Sequence, residues 1–491
     1  MQHHKPFVFT LTESYRAYFA DEWKTALVTP LLKKQGLELS FPNYRPVSNL
    51  SFVSKLVERA SVNQLTSHME QNFPLPSHQS AYRSFHSTET ALIKVQSDIL
   101  LNMDSQKLTL LVMLDLSAAF DTIDHTVMIE TLDHETGTTG VALDWFASYL
   151  KGRTQKVQIS GSHSRDYHLR YGVPLGSCLG PLLFTVYAAS LFKVLGKHLP
   201  EAHGYADDHQ LYLAFKPDKV TDEDRALSAL QDCINDVRQW MLSNKLKIND
   251  KKTEFLILGS KQQLEKVNTH GIYVGNEQVA PVRHVRNLGA LFDENLTMDK
   301  HIAKVCGSGY SHLHNIRAVR KYLTHEAVCS IVHAFISSQL DYCNSLLSGL
   351  PSYLIGRLQR LQNSAARVVC NLRKYDHISS ALRRLHWLPV KYRIQFKVIL
   401  IVFKALHNMA PKYILDMLVR KTTGPYRLRS DNAIVLRVPR YKCVTFGRRA
   451  FAVNAPMLWN ALPSDLRQAV NIDIFKNKLK SHLFEKFIKD S

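Results

Sequence analysis

The stretch GYADDH, residues 204–209, places two adjacent carboxylates between extended apolar residues. Because an apolar setting disfavours unpaired charges, a protein keeps such a pair mainly to hold a cation. Side chains alternate along a strand, so Asp207 and Asp208 would point to opposite faces unless a turn lies between them. Alternating apolar residues follow over 211–215, which is typical of a returning strand with one buried face. The pattern therefore predicts a β-hairpin whose turn lies between the aspartates and brings them together.

An isolated pair of aspartates is more often a surface turn than a cation site, because aspartate is a good turn former. The cation interpretation therefore needs a further carboxylate. One follows the almost continuous apolar run 109–114, which is typical of a strand covered on both faces and which ends at Asp115. Asp124 is better interpreted as the N-cap of a helix that begins at His125, and Asp121 as local structure.

Length and composition exclude several classes of protein. A chain of 491 residues is expected to form two or three domains. It contains no run of about 18 apolar residues and no signal-peptide pattern at its N-terminus, so we predict no membrane association and an intracellular location, cytoplasmic or nuclear. The seven cysteines are scattered and lack CxxC spacing, which favours free thiols over a disulfide framework or a zinc site.

Charge is distributed unevenly along the chain. Residues 1–299 contain 30 Lys and Arg against 33 Asp and Glu, whereas residues 300–491 contain 32 against 9. The excess positive charge therefore lies in the last two fifths of the chain. Such asymmetry favours a polyanion-binding half attached to a half with another task, although a generally solvated basic surface is the alternative.

Two basic residues in the first half suit a phosphate ligand. Arg45 precedes Pro46, which favours an extended conformation at the arginine and so could direct its planar guanidinium toward a partner. Lys252, in the basic segment 245–254, could also reach a phosphate. Taken alone, an arginine before proline is more often a surface residue, and Lys252 is also interpretable as a solvated surface charge.

A glycine-rich turn lies in the segment GVPLGSCLGP, residues 172–181. Gly176 and Gly180 permit close approach of the backbone to a ligand, and the apolar run 182–195 predicts a helix behind them. A glycine-rich turn alone is weak evidence for a binding site.

Taken together, six segments resemble, in order, the motifs of non-LTR (LINE-type) retrotransposon reverse transcriptases of the jockey-like branch. They are residues 43–48, 114–121, 172–183, 205–208, 249–254 and 287–293. The resemblance covers nearly the whole chain, including APMLWNALP at 455–463. It implies an α+β right-hand polymerase fold, with fingers, an antiparallel-sheet palm, a helical thumb and a mixed, basic C-terminal domain.

The resemblance also implies where these parts lie. The N-terminal part of the fingers would span residues 1–100, and the palm with interleaved fingers elements would span 101–298. The thumb would span 299–375 and the C-terminal domain 376–491. The implied activity is RNA-directed DNA polymerisation, in which dNTPs are added to a primer 3′-hydroxyl on an RNA template and the primer or target is DNA.

The family's metal chemistry is carried over onto matching residues. Two Mg²⁺ ions, for which Mn²⁺ could substitute, would be bridged by Asp115 and Asp207, with Asp208 assisting. The carbonyl of Leu116 is implied as a further ligand.

The resemblance assigns nucleotide contacts as well. Lys33 and Arg45 match the fingers residues that grip the triphosphate, and Lys252 matches the residue that protonates the leaving pyrophosphate. Phe120 matches the aromatic residue beneath the sugar, where its ring would clash with a ribose 2′-hydroxyl.

One motif departs from the family pattern. The family usually has glutamine at the position of Leu175, beside Gly176 in the loop that contacts the nucleotide and the templating base. Leucine cannot make that polar contact, so weaker nucleotide binding, altered fidelity or an inactive copy are the expected consequences. We also expect the chain to be truncated at its N-terminus, without the endonuclease domain found upstream in this branch.

Two other functions are consistent with parts of the sequence. A catalytically silent remnant would keep the basic half for nucleic-acid binding and would have lost turnover through Leu175 and the truncation. A group II intron maturase-like protein would fit the catalytic core but not the thumb and C-terminal patterns. The oligomeric state does not follow from the sequence.

Overall fold

A computed structural model describes residues 18–34, 36–198, 201–421 and 434–490. Parts of the predicted fingers and C-terminal domain, residues 1–17, 422–433 and Ser491, lie outside these ranges. The described strands are β1 (Thr25–Leu32), β2 (Tyr44–Asn49), β3 (Leu108–Leu114), β4 (Thr154–Ile159), β5 (Ser162–His163), β6 (Tyr167–His168), β7 (Glu201–Tyr205), β8 (Asp208–Phe215), β9 (Glu254–Leu258), β10 (Ile272–Val274), β11 (Glu277–Val279), β12 (His284–Asn287) and β13 (Ala290–Asp293).

Helices dominate the second half of the chain, and further helices lie between the strands of the first half. Those within the described ranges are α1 (Phe52–Asn72), α2 (Thr88–Asp104), α3 (His125–Thr136), α4 (Gly140–Leu150), α5 (Gly180–Tyr187), α6 (Leu191–Leu195), α7 (Val220–Ser243), α8 (Lys261–Leu264), α9 (Asp299–Val319), α10 (His325–Val332), α11 (Ser338–Asp341), α12 (Ser352–Cys370), α13 (Ile378–Arg384), α14 (Val390–Leu406), α15 (Lys412–Asp416), α16 (Phe451–Asn460), α17 (Ser464–Arg467) and α18 (Ile472–Asp490).

A four-stranded antiparallel sheet in the order β7-β8-β3-β9 forms the centre of the first half. The predicted buried strand before Asp115 is confirmed as β3, whose residues are apolar and almost entirely buried. On β3, Leu110 and Val112 join one hydrophobic core while Leu111 joins another. The sheet is therefore covered on both faces, as its continuous apolar sequence indicates.

The returning strand β8 is also buried on both faces, and the prediction of a single buried face is wrong. Gln210 and Leu211 are 0% and 1% exposed although their side chains point to opposite faces of the sheet. Alternation of leucines suggested one apolar face, but the other face carries Tyr212, which packs into the core on the opposite side. Because Gln210 on this second face is polar although buried, the pattern of apolar residues did not indicate that this face is buried.

One hydrophobic core extends from α2 through the helices of the second half to α18. It includes Val332 of α10, Phe403 of α14 and Phe475 of α18. The rings of Phe403 and Phe475 stack with their centroids 4.1 Å apart. The helices on both sides of residue 375 thus share their buried apolar surface.

A second, five-stranded sheet lies beside the first and joins β2, β1, β4, β5 and β6. Strand β4 pairs with β6 in an antiparallel ladder. Thr25 of β1 also pairs with Thr154 of β4 in a parallel ladder. This pairing joins segments 129 residues apart, which local sequence patterns do not reveal.

Two local predictions had different outcomes. Asp124 caps α3 as predicted, because its side chain accepts hydrogen bonds from the backbone N–H groups of Thr126 and Val127 at 2.9 and 3.2 Å. The single helix predicted over 182–195 is wrong, since α5 ends at Tyr187 and α6 begins at Leu191. This run is mostly apolar and mostly buried, so its periodicity does not mark the break.

All seven cysteines are free. Among the described helices, none combines the length and apolar character needed to span a membrane.

Candidate active site

The aspartate hairpin, residues 201–215, consists of β7, a two-residue turn and β8. Tyr205 pairs with Asp208, so the turn residues are Ala206 and Asp207. The turn lies one residue earlier than the sequence predicted, with Asp207 at its tip and Asp208 as the first residue of β8. Ala206 has φ of 58°, a left-handed conformation that costs a residue other than glycine about 1 kcal/mol. Alanine gives no sequence signal for such a turn.

The sheet brings the three predicted carboxylates together. Leu114 pairs with His209, so Asp115 leaves β3 beside Asp208 on the neighbouring strand. Burial, followed by the charges of Asp207 and Asp115, raises the pKa of Asp208 to about 6. Burial also raises the pKa of Asp207, with a smaller contribution from Asp115. The three groups thus form one repulsive cluster, which a bound cation would relieve.

A segment preceding β9 docks against Asp115 and Leu116. The backbone N–H of Asn249 donates to the Asp115 carbonyl at 2.8 Å, and that of Ser117 donates to the Lys247 carbonyl at 2.9 Å. The Leu116 carbonyl takes part in neither bond. Lys252, at the end of this segment, places its Nζ 3.4 Å from Asp115 Oδ2. The structure therefore brings Lys252 into the carboxylate cluster.

The fit of a metal ion can be judged from the carboxylates themselves. Asp115 Oδ2 is buried and makes no hydrogen bond, since its ion pair with Lys252 lies outside hydrogen-bond geometry. Within the described ranges, no three or more His, Cys, Asp and Glu side chains are arranged to ligate one metal together. Mg²⁺ is usually held by one or two carboxylates plus substrate phosphates and water. The residues fit such a partly protein-built site and not a closed protein cage.

The glycine-rich loop lies between the two sheets. Gly176 has φ of 102°, and a Cβ at this position would lie 2.6 Å from the Ser48 carbonyl of β2. Only glycine fits here, because both the conformation and the close approach exclude a side chain. Leu175 beside it is half-buried. This contact brings the loop to the strand that carries Arg45.

Glu58 of α1 anchors the same loop and was missed by the sequence analysis. Its fully buried carboxylate accepts hydrogen bonds from the backbone N–H groups of Cys178 and Leu179 at 2.6 and 3.3 Å, and from Ser54 Oγ at 3.0 Å. A buried glutamate with these partners fixes the loop after Gly176. The sequence signal for this role was an acidic residue within the helix α1.

Phe120 lies at the junction of the carboxylates and the loop. Its carbonyl accepts a hydrogen bond from the Val173 N–H at 2.9 Å, and its half-buried ring packs against Phe184 with the centroids 5.0 Å apart. The Phe120 ring therefore packs against helix α5, and its backbone is bonded to the glycine-rich segment.

Lys33 and Arg45 lie apart from the carboxylates, on the second sheet. Both are exposed, and Arg45 pairs with Leu31 across the β1–β2 hairpin. Lys33 Nζ donates to the Pro42 carbonyl at 2.7 Å. Among the described residues, no ion pair joins Lys33 or Arg45 to Asp115, Asp207 or Asp208.

A buried pair of amides, also missed from the sequence, braces the aspartate hairpin. Gln210 of β8 accepts a hydrogen bond from Asn287 Nδ2 at 2.8 Å, and both residues are 0% exposed. Asn287 ends β12, next to the turn that leads to β13. Polar residues within apolar strands were the signal, but the partner lies 77 positions away.

More than half of the chain matches a known protein family. Residues 32–291 match the family described as reverse transcriptase (RNA-dependent DNA polymerase). The matched region contains the three carboxylates, Lys252 and the glycine-rich loop.

Two curated relatives come from Drosophila melanogaster. One is the probable RNA-directed DNA polymerase from transposon BS, 26% identical over 77% of this chain and 42% of that protein. The other is the probable RNA-directed DNA polymerase from transposon X-element, 25% identical over 72% of this chain and 38% of that protein. The chain thus spans about two fifths of the length of these relatives.

Among solved structures, the apo telomerase from Candida tropicalis matches with a TM-score of 0.43 and 10% identity, covering 79% of this chain and 64% of that one. A likeness at this level carries no argument about function. The sequence match over residues 32–291 does, and on that ground the chain belongs to the reverse transcriptase (RNA-dependent DNA polymerase) family.

Proposed function

We propose that this chain is an RNA-directed DNA polymerase of a non-LTR retrotransposon, which extends a primer 3′-hydroxyl with dNTPs on an RNA template. The observation that carries the proposal is the cluster of Asp115, Asp207 and Asp208 on adjacent strands, with the pKa of Asp208 raised to about 6 by burial and by its two neighbours. Family membership and relatives named as RNA-directed DNA polymerases support it.

The carboxylates of Asp115 and Asp207 would hold two divalent cations, assisted by Asp208 and the Leu116 carbonyl. We propose Mg²⁺, with Mn²⁺ as a substitute, because hard oxygen ligands and substrate phosphates suit both. When bound, the ions activate the primer 3′-hydroxyl and neutralise charge on the triphosphate. The orphaned Asp115 Oδ2 is one ready ligand atom.

The chain's own residues then position the reacting groups. A bond forms between the primer 3′-oxygen and the α-phosphorus, while the bond from that phosphorus to the leaving pyrophosphate breaks. We assign Arg45 and Lys33, at the β1–β2 hairpin, to the triphosphate. Lys252 would give a proton to the pyrophosphate, since its ammonium already lies 3.4 Å from Asp115 Oδ2.

Two further residues would set nucleotide choice. The Phe120 ring, supported by Phe184, would lie beneath the sugar and exclude a 2′-hydroxyl. Leu175 would face the nucleotide and templating base beside Gly176, whose backbone approaches β2 closely.

The nucleic acids would be an RNA template and a DNA primer or target. We assign the basic helices after residue 299 to the phosphate backbones, because residues 300–491 carry 32 Lys and Arg against 9 Asp and Glu. In this scheme residues 1–100 and 101–298 supply the fingers and palm, 299–375 the thumb and 376–491 the C-terminal domain. Because these substrates are found inside cells, we infer a cytoplasmic or nuclear location.

Asp207→Asn tests the proposal directly. Removing one carboxylate charge should lower dNTP incorporation on an RNA template at least about 100-fold in Mg²⁺ or Mn²⁺. The measurement is primer extension with purified protein. Asp124→Asn is the matched control, since it also removes a carboxylate charge but asparagine caps a helix equally well. Salt-sensitive RNA binding without any extension by the unsubstituted chain would instead indicate a silent nucleic-acid-binding remnant.

Phe120→Ala should relax sugar selection. Without the ring, the ratio of ribonucleotide to deoxynucleotide incorporation should rise at least about 10-fold, because the steric clash with the 2′-hydroxyl is lost. Competitive single-nucleotide extension measures this ratio. Phe120→Tyr keeps the ring and should keep the selection; unchanged discrimination in Phe120→Ala would remove Phe120 from this role.

Leu175→Gln restores the residue usual in the family. One new hydrogen bond contributes about 1 kcal/mol, so kcat/KM for dNTP incorporation should rise about 3- to 10-fold. Steady-state extension at varied dNTP concentration checks this, with Leu175→Met as an apolar control. An equal or lower kcat/KM in Leu175→Gln would show that Leu175 does not limit nucleotide binding.

A further inference from the structure

The outer strand of the aspartate hairpin is held by a segment far from it in the sequence, residues 78–86, which we call the clamp segment. The Gly204 N–H donates to the His78 carbonyl at 2.9 Å, and the Ser80 N–H donates to the Gly204 carbonyl at 2.9 Å. Gln79 and Gly204 form a parallel bridge. The clamp segment thus extends the sheet beyond β7, three residues before Asp207.

Side chains reinforce this contact from within the protein. Ser80 Oγ lies 2.8 Å from Nε2 of His203, the residue before Gly204, and both side chains are 1% exposed. Burial lowers the pKa of His203 to about 3, so its imidazole is neutral and hydrogen-bonds without a charge. The link between Ser80 and β7 is therefore shielded from solvent.

Tyr413 completes the network from the C-terminal part of the chain. Its hydroxyl lies 2.9 Å from Ser80 Oγ and donates to Thr90 Oγ1 at 3.1 Å. Its ring stacks on His78 with centroids 6.3 Å apart and meets the His203 ring edge-on at 5.2 Å. Tyr413 is 3% exposed, so loss of its hydroxyl would remove two buried hydrogen bonds, while Ser80 would keep its bond to His203.

Other hydrogen bonds fasten the C-terminal part to helix α2. Asp104, at the end of α2, accepts hydrogen bonds from the backbone N–H groups of Lys442 and Cys443, the shortest 2.6 Å long. These bonds fasten the C-terminal part without touching β7. Tyr413 differs because, besides Thr90 of α2, it contacts the clamp segment and the strand that leads into Ala206 and Asp207.

The strained turn at Ala206 explains why the aspartate hairpin needs support from neighbouring segments. A left-handed alanine is strained, and strained backbone persists only when its surroundings over-determine it. Gln210 and Asn287 brace the β8 side of the hairpin, whereas the clamp segment and Tyr413 brace the β7 side.

We propose that Tyr413 is a positioning residue for the carboxylate cluster, through which the C-terminal part of the chain holds Asp207 in register for nucleotidyl transfer. The role in transfer rests on the proposed polymerase function. The mechanical part of the inference, that Tyr413 holds the aspartate hairpin in place, does not.

Tyr413→Phe tests both parts in the full chain. The ring is kept and only the hydroxyl is lost, so kcat for dNTP incorporation should fall about 10-fold, while KM for dNTP and affinity for the RNA–DNA primer-template stay within about twofold. Tyr392→Phe is the matched control, because that buried tyrosine donates its hydroxyl to Asp490, which lies at the end of α18. It should leave kcat unchanged.

Hydrogen–deuterium exchange of the peptide covering residues 201–215 supplies a readout independent of catalysis. Exchange should become about 10-fold faster in Tyr413→Phe and stay unchanged in Tyr392→Phe. Equal protection in both variants overturns the inference even if the chain polymerises DNA. If the unsubstituted chain fails to extend a primer, the proposed function fails, while faster exchange in Tyr413→Phe alone would still support the mechanical role.

Ser80→Ala removes the same link from the opposite side. It should reproduce the selective fall in kcat and the faster exchange, and combining it with Tyr413→Phe should add little, because both act through one contact. If neither single variant folds, the network serves global stability and the positioning role is wrong.

Discussion

The antiparallel pairing of β3 with β8 is the constraint on which the candidate site depends. Leu114 opposite His209 sets a register that leaves Asp115 beside Asp208. A shift by one residue would turn every side chain of one strand to the other face and separate the carboxylates. Close packing of β3 against two different cores, which Leu110 and Leu111 join, and the buried Gln210–Asn287 hydrogen bond on β8 oppose such a shift. Burial of the sheet thus holds three like charges together.

Holding like charges together has a structural consequence around the hairpin. Burial and mutual repulsion raise the pKa of Asp207 and Asp208, and Ala206 is strained. Such a turn needs support from its surroundings, and hydrogen bonds supply it on both strands. Gln210 bonds to Asn287 on one side, and the clamp segment bonds to Gly204 on the other. The same supports would hold the carboxylates in position to bind cations and substrate phosphates.

Much of this arrangement follows from local sequence. Family membership confirms the predicted α+β right-hand polymerase fold, and the apolar run before Asp115 correctly predicted the central strand. The position of the turn was mispredicted because alanine rarely adopts positive φ. The helix over 182–195 was predicted as continuous because an apolar run buried on most sides carries no periodic signal for its break. Glu58 and Tyr413 escaped notice because their partners lie 120 and 333 residues away, beyond any local pattern.

We propose that Asp115, Asp207 and Asp208 form a divalent-cation site, and Mn²⁺ binding tests this site most directly. Electron paramagnetic resonance can count tightly bound Mn²⁺ ions in the full chain with a dideoxy-terminated primer on an RNA template and the next dNTP. We expect two Mn²⁺ ions per chain. The affinity for at least one of them should fall about 10-fold or more in Asp115→Asn and should be unchanged in Asp124→Asn. Equal number and affinity in Asp115→Asn and the unsubstituted chain would contradict it.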